Sequence, residues 1–136
     1  MTLPELGRGY LRSARRRLLV LPVLRRAGGF NDVVRESQEI VELALKAMLR
    51  AVGVDPPHVH DVGAALGANA ARYPEEVQSR LPALVESSRR LRRDRELSFY
   101  GAADFVPDCE YTAADADDAA ARAREAVEVA ELVAAE

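Results

Sequence analysis

Residues 31–53 read NDVVRESQEIVELALKAMLRAVG, and this stretch decides the fold. Its apolar residues recur every three or four positions, which is the spacing of one face of an α-helix. Asn31 or Asp32 can act as the N-cap, because a side-chain oxygen there can accept a hydrogen bond from the first turn, and Gly53 provides a stop. The stretch therefore predicts a long amphipathic helix from about Asn31 to Val52, with a wide apolar stripe that must pack on other elements.

The rest of the chain has the same helical character, and prolines divide it. Pro22 should kink or end the first predicted helix, and Pro82 should bend or split the fourth. Residues 101–111 are predicted to form a loop. The predicted helices run from Pro4 or Gly7 to Ala27, from Asn31 to Val52, from His60 to Tyr73, from Pro74 to about Phe99, and from a Thr112–Asp115 capping box to about Val133. The pattern predicts a single all-α domain over residues 1–136, an up-and-down bundle of four or five helices.

The cysteine content and the apolar runs of the chain indicate the compartment in which the protein is expected. Cys109 is the only cysteine, so no internal disulfide can form, and a reducing compartment is permitted. The first ten residues lack the apolar core of a signal peptide. The longest apolar run, residues 18–24, is too short to cross a bilayer and contains Pro22. We therefore expect a cytoplasmic protein with no membrane partner.

The charge is distributed unevenly along the chain. Seven arginines and no acids lie between Glu5 and Asp32, whereas ten acids and two arginines lie from Asp104 to the end. Such asymmetry can mark a face that binds anions. Alternatively, the basic and acidic helices are neighbours that pair with each other, within one chain or across a dimer.

The most informative polar segment is residues 89–101, RRLRRDRELSFYG. Its five arginines can bind phosphates through charge and paired N–H donors, and its two aromatic residues can stack on bases. This pattern favours contact with a nucleotide or RNA. The alternative is a solvated helix end whose aromatic residues, Phe99 and Tyr100, pack on the second helix.

The remaining candidate residues give weaker signals. His58 and His60 are close together, but no Cys or carboxylate spacing completes a metal site, so a role in a loop or a helix cap is favoured. No Gly-rich phosphate loop is present. We therefore predict neither a metal nor a cofactor.

The order of these segments resembles the HEPN-domain family over nearly the whole chain. The resemblance rests on YLRSA at 10–14, ESQEIVELALKAML at 36–49, HDVG at 60–63, R-x-RE-x-x-FYG at 93–101, FVP at 105–107 and YT-x-x-DA at 111–116. It implies a helical bundle that forms a homodimer, with a minimal nucleotidyltransferase as a partner in toxin–antitoxin-like pairs.

Many HEPN proteins are metal-independent ribonucleases that carry an arginine and, four to six residues later, a histidine at the dimer cleft. In this chain Tyr100 stands five positions after Arg95, where the resemblance implies a histidine. A phenol ordinarily titrates near pH 10 and imidazole near 6.5, so Tyr is a poor proton carrier at neutral pH. The resemblance therefore favours binding over ribonuclease activity.

Three hypotheses follow. The first is a non-catalytic HEPN module that contacts nucleotide or RNA through Arg93 and Arg95, with Tyr100 lining the cleft and Ser37 completing it from the second helix. The second is a ribonuclease toxin with a rearranged site, with Arg95, Tyr100 and His60 as catalytic candidates. The third is a purely structural dimeric interaction protein whose arginines form a solvated face.

Overall fold

The computed structural model describes residues 1–58, 61–100 and 111–134, and for residues 94–100 it describes the backbone only. No strand is present in those ranges. The predicted loop at 101–111 lies outside them except for Tyr111. The helices are α1 (Leu3–Leu18), α2 (Leu21–Arg26), α3 (Phe30–Ala51), α4 (Val62–Ala68), a 3₁₀ turn (Ala70–Arg72), α5 (Glu75–Gln78), α6 (Leu81–Tyr100) and α7 (Ala113–Ala134).

The four long helices form an up-and-down bundle, as predicted. α3 packs against α1, α6 and α7, and none of its residues is exposed. Gly7 of α1 lies beside Ala47 near the end of α3, whereas Arg17 pairs with Glu36 near its start, so α1 and α3 are antiparallel. The core is built from apolar side chains of α3 and of the helices around it, including Leu11, Ile40, Leu45, Met48, Leu84, Leu91 and Val129.

The two ends of α3 differ in how closely they follow the prediction. The helix begins at Phe30 after Gly29, and no side chain caps it, so the predicted caps at Asn31 and Asp32 are wrong. Asn31 lies inside the first turn and is buried. The predicted stop at Gly53 is confirmed: φ is +81°, its N–H donates to Arg50, and the following N–H, that of Val54, donates to Leu49.

The predicted breaks at Pro22 and Pro82 are confirmed, but each helix break lies before the proline. The break between α1 and α2 lies at residues 19–20, and Pro22 occupies the first turn of α2. Pro82 likewise occupies the first turn of α6. Proline is tolerated there because the N–H groups of a first turn have no partner within the helix. The prediction of one first helix reaching Ala27 is thereby corrected to two helices.

The short helices between α3 and α6 bury apolar side chains such as Leu66 and Val77, and two close contacts add to this packing. Gly63 of α4 packs on Ser88 of α6, and a Cβ at Gly63 would lie 3.0 Å from that of Ser88. The hydroxyl of Tyr73 donates to the carbonyl of Met48 over 2.7 Å. The usual helical donor to that carbonyl, the N–H of Val52, bonds to Leu49 instead, so Tyr73 satisfies an acceptor at the end of α3.

α7 starts at the capping box predicted for Thr112 and Asp115. The N–H of Thr112 donates to the Asp115 carboxylate over 2.8 Å, and the N–H of Asp115 donates to the Thr112 hydroxyl over 3.2 Å. The helix then presents a face of small buried residues to the core: Ala116, Ala119, Ala120, Ala123, Ala126 and Ala130. Small side chains let the backbone of α7 approach α3 closely.

The two oppositely charged parts of the chain meet along α7. Arg15 of α1 donates to Glu131 over 2.7 Å, and Arg25 of α2 donates to Asp117 over 2.9 Å. Pairing between basic and acidic helices of one chain, the second of the two charge hypotheses, therefore accounts for part of the asymmetry.

Candidate functional site: the basic end of α6

The arginine-rich segment continues α6 without a break from Arg89 to Tyr100. Leu84, Ser87, Ser88 and Leu91 form the buried side of this helix, while Arg93 is exposed. These inner residues pack α6 against the core, and Arg92 and Arg93 follow directly on the same helix.

Arg89, Arg90 and Arg92 of this segment each have a carboxylate nearby. Arg89 binds Glu86 through two N–H···O contacts, of 3.0 and 2.6 Å. This hydrogen-bonded pair lowers the pKa of the Glu86 carboxyl. Arg90 Nη2 lies 4.0 Å from Asp118 on α7. The segment is therefore less cationic than its sequence suggests.

Arg92 links the basic end of α6 to the start of α4. Its Nη2 lies 3.0 Å from Asp61 Oδ2, while Asp61 Oδ1 accepts the N–H of Gly63 over 2.9 Å as the N-cap of α4. One carboxylate thus caps a helix and contacts an arginine of the basic segment. The sequence prediction gave Asp61 no role in the site, although an Asp directly before a helix is a readable signal for a cap.

The helical register divides the predicted binding residues into two groups. An α-helix has 3.6 residues per turn, so position 100 falls on the same side of α6 as position 93. Position 95 falls in line with the buried Leu84, Ser88 and Leu91. Positions 93 and 95 therefore lie on opposite sides of the helix. The side chains of Arg95 and Tyr100 lie outside the described residues.

The other predicted site residues stand in different surroundings. Ser37 is completely buried in α3, and its hydroxyl oxygen has no hydrogen-bond partner in the described part of the chain. His60 lies outside the described residues, one position before Asp61. Among residues 1–58, 61–100 and 111–134, no three His, Cys, Asp or Glu side chains are grouped so that they could hold a metal ion.

The fold and this site define an all-helical bundle in which one of the long helices ends in a run of arginines. A family model described as HEPN domain matches residues 8–133. The chain therefore belongs to the HEPN-domain family. Comparisons with curated proteins and with solved structures returned no match. In the described ranges, no helix has the length and apolar character needed to span a membrane.

Proposed function

We propose that this protein is a non-catalytic HEPN module that binds RNA or nucleotide phosphates through the basic end of α6. We further propose that it works as a dimer and as the partner of a minimal nucleotidyltransferase. The observation that carries the proposal is that α6 remains helical through Tyr100 and presents Arg93 on its exposed side.

The ion pairs of the neighbouring arginines are compatible with phosphate binding. The side chains of Arg89, Arg90 and Arg92 are 56%, 42% and 38% exposed in their pairs. Pairs this exposed contribute little to stability, about 0–1 kcal/mol. A phosphate, which presents more acceptor oxygens than a carboxylate, can therefore compete for the same guanidinium groups at low cost.

The sequence supports binding more than catalysis. Both histidines of the chain precede α4, so none follows Arg95 at the spacing of the HEPN ribonucleases. Phosphate binding requires only the arginines, whereas cleavage requires a group that can transfer a proton near neutral pH. Because Ser37 is completely buried, we base the proposal on the arginines and not on this hydroxyl.

Binding can be tested with a fluorescent single-stranded RNA and a salt titration. Arg93→Ala should weaken binding several-fold and reduce the slope of log K against log salt by about 0.7 for each phosphate that the variant no longer neutralises. Arg95→Ala tests whether the opposite side of the helix end also contacts the RNA. Arg124→Ala is the matched control, since it removes the same charge from an exposed position on α7. Absence of binding at low salt, or equal effects of all three substitutions, would reject the proposed site.

The ribonuclease hypothesis retains one supporting observation. The ion pair between Arg92 and Asp61 holds the start of α4 beside the arginine segment, and His60 is the residue directly before Asp61. A labelled RNA incubated without metal should remain intact if the module only binds. Cleavage that disappears in both His60→Ala and Arg95→Ala would establish a rearranged ribonuclease site instead.

The purely structural hypothesis is supported by a different surface. Leu19, Val20 and Val23, at the junction of α1 and α2, are 76%, 42% and 55% exposed. Large apolar side chains grouped at a helix junction favour contact with another protein. The partnership predicts that a minimal nucleotidyltransferase is encoded beside this protein and that the two proteins co-purify when co-expressed. Absence of such a gene, or failure to co-purify, would remove that part of the proposal.

A further inference from the structure

A groove on the outer side of α1 lies apart from the arginine segment of α6. It is open to solvent, has a volume of about 850 Å³, and is lined by Met1, by α1 residues and by Leu43 of α3. Leu6, Tyr10 and Leu43 form half-buried apolar walls, and Gly9 contributes no side chain. A volume of this order is typical of small-molecule sites, which are mainly apolar with a few polar groups.

The charged residues of the groove favour an anion. Arg8 and Arg12 line it together with a single acid, Glu5. The Glu5 carboxylate already accepts the N–H of Thr2 over 2.8 Å in the capping box of α1. Arg12 is exposed and makes no ion pair within the described part of the chain, and its Nη2 lies 3.7 Å from where a Cβ of Gly9 would be.

A buried guanidinium lies behind the aromatic wall of the groove. Arg50 of α3 is 8% exposed, and its Cζ lies 4.3 Å from the centroid of the Tyr10 ring. Its Nε and Nη1 have no hydrogen-bond partner in the described part of the chain, and its nearest carboxylate, Asp55, is 3.7 Å away and largely exposed.

This arrangement affects what Tyr10 can bind. A buried cation with so little compensation is costly, and here the ring face provides part of the compensation. Because Arg50 covers one face of the ring, only the other face and the edge can contact the groove.

We propose that the α1 groove is a binding site for an aromatic anion, a flat ring that carries a phosphate or carboxylate group. The ring packs between Leu6, Leu43 and the open face of Tyr10, and the anionic group contacts Arg12. Nucleoside monophosphates and aryl carboxylates share this chemistry. The site is independent of the function proposed for α6.

Calorimetric titration of the full chain distinguishes nucleoside monophosphates from aryl carboxylates as the ligand. The probes are AMP and 1-naphthoate, with adenosine and inorganic phosphate as the two halves of AMP. Binding of AMP or 1-naphthoate below millimolar concentration, with at least tenfold weaker binding of the halves, would support the site. The tighter of the two probes then indicates the class of the anion. Failure of both probes to bind at millimolar concentration would overturn it.

Variants establish where the probe binds. Arg12→Ala and Tyr10→Leu should each weaken binding about tenfold, and Gly9→Leu should abolish it by filling the groove while the charges remain. Arg26→Ala, which removes an exposed arginine at the end of α2, should have no effect. Thermal unfolding of each variant shows whether the fold is intact. If Tyr10→Leu does not fold, the results for Arg12→Ala and Gly9→Leu decide whether the probe binds in the groove.

The outcomes for the two sites can be told apart. Loss of AMP binding in Arg93→Ala but not in Arg12→Ala would assign the ligand to α6 and overturn the groove while leaving the proposed function standing. Equal weakening in Arg12→Ala and Arg26→Ala would show unspecific attraction between charges and would also overturn the groove. RNA binding that fails in Arg93→Ala bears only on the function proposed for α6.

Discussion

At the scale of single residues, a close backbone approach of α1 to α3 depends on Gly7. A Cβ built there would lie 2.9 Å from the carbonyl oxygen of Ala47 and 3.3 Å from the Cβ of Arg50. Gly9, two residues later in the same helix, meets only the flexible end of Arg12. Gly7 therefore has no room for a side chain, whereas Gly9 has, and the two positions form a matched pair for substitution.

We expect Gly7→Ala to lower the free energy of unfolding by about 1–3 kcal/mol, since the backbones of α1 and α3 must separate to admit the methyl group. Gly9→Ala should be neutral or stabilising by up to about 1 kcal/mol, because alanine favours the helix. Urea denaturation of both variants checks the pair. If Gly9→Ala were the more damaging substitution, the helix packing described here would be wrong.

Tyr73 makes the free energy of unfolding depend on pH in the alkaline range. Burial raises the pKa of its phenol well above the ordinary value near 10. The folded protein therefore keeps Tyr73 neutral at pH values where the unfolded chain ionises it. The stabilisation from this group is complete below about pH 10 and is lost progressively as the pH rises above 10.

Tyr73→Phe should accordingly reduce this alkaline loss of stability. At pH 7 it should also cost about 1 kcal/mol, because the Met48 carbonyl loses its donor. Unfolding free energies measured from pH 7 to 11 test both effects. The difference between wild type and variant should shrink toward the alkaline end, and a constant difference would argue against the buried neutral phenol.

At the scale of elements, α7 has one buried face and one exposed face, and an alanine can be substituted on each. Ala123 is 0% exposed, whereas Ala121, on the same helix, is exposed. Ala123→Leu should destabilise the fold by about 1–3 kcal/mol through overpacking. Ala121→Leu should change the stability by less than about 0.5 kcal/mol. Thermal or chemical denaturation distinguishes them, and similar losses from both would contradict the assigned face.

The helices could be predicted to different degrees, for local reasons. The two bounds of α3 agree with the prediction to within one residue because apolar periodicity and Gly53 define them. The cap at its start could not be predicted, since Asn31 and Asp32 satisfy the same local rule whether the helix begins before or after them. The turn from α2, in which Gly29 donates to Leu24 over 2.9 Å, places the start at Phe30.

The candidate site was predictable only in part. The arginine cluster and its helix were evident from residues 89–101, and the opposite sides of positions 93 and 95 follow from the helical period alone. The carboxylates that pair with these arginines could not be foreseen, because Asp61 and Asp118 come from other parts of the fold. The contact between Tyr10 and Arg50 was likewise missed, since it joins residues that are far apart in the sequence.

At the scale of the whole molecule, the chain is predicted to form a homodimer, as the HEPN resemblance implies. Light scattering coupled to gel filtration at micromolar concentration should give a mass near twice the 14.9 kDa of one chain. A monomer at that concentration would count against a cleft formed by two copies. Substituting Val20 and Val23 by Ser tests whether the exposed apolar junction of α1 and α2 forms the contact.

The central position of α3 in the bundle has a kinetic consequence. Surface helices can fray or detach locally, and their amide protons then exchange with solvent without complete unfolding. α3 has no exposed residue, and α1, α6 and α7 pack around its middle turns, so opening its helical hydrogen bonds requires these neighbours to separate from it. In deuterium oxide, the amides from about Ile40 to Leu49 should therefore be the last to exchange, at the rate of global unfolding.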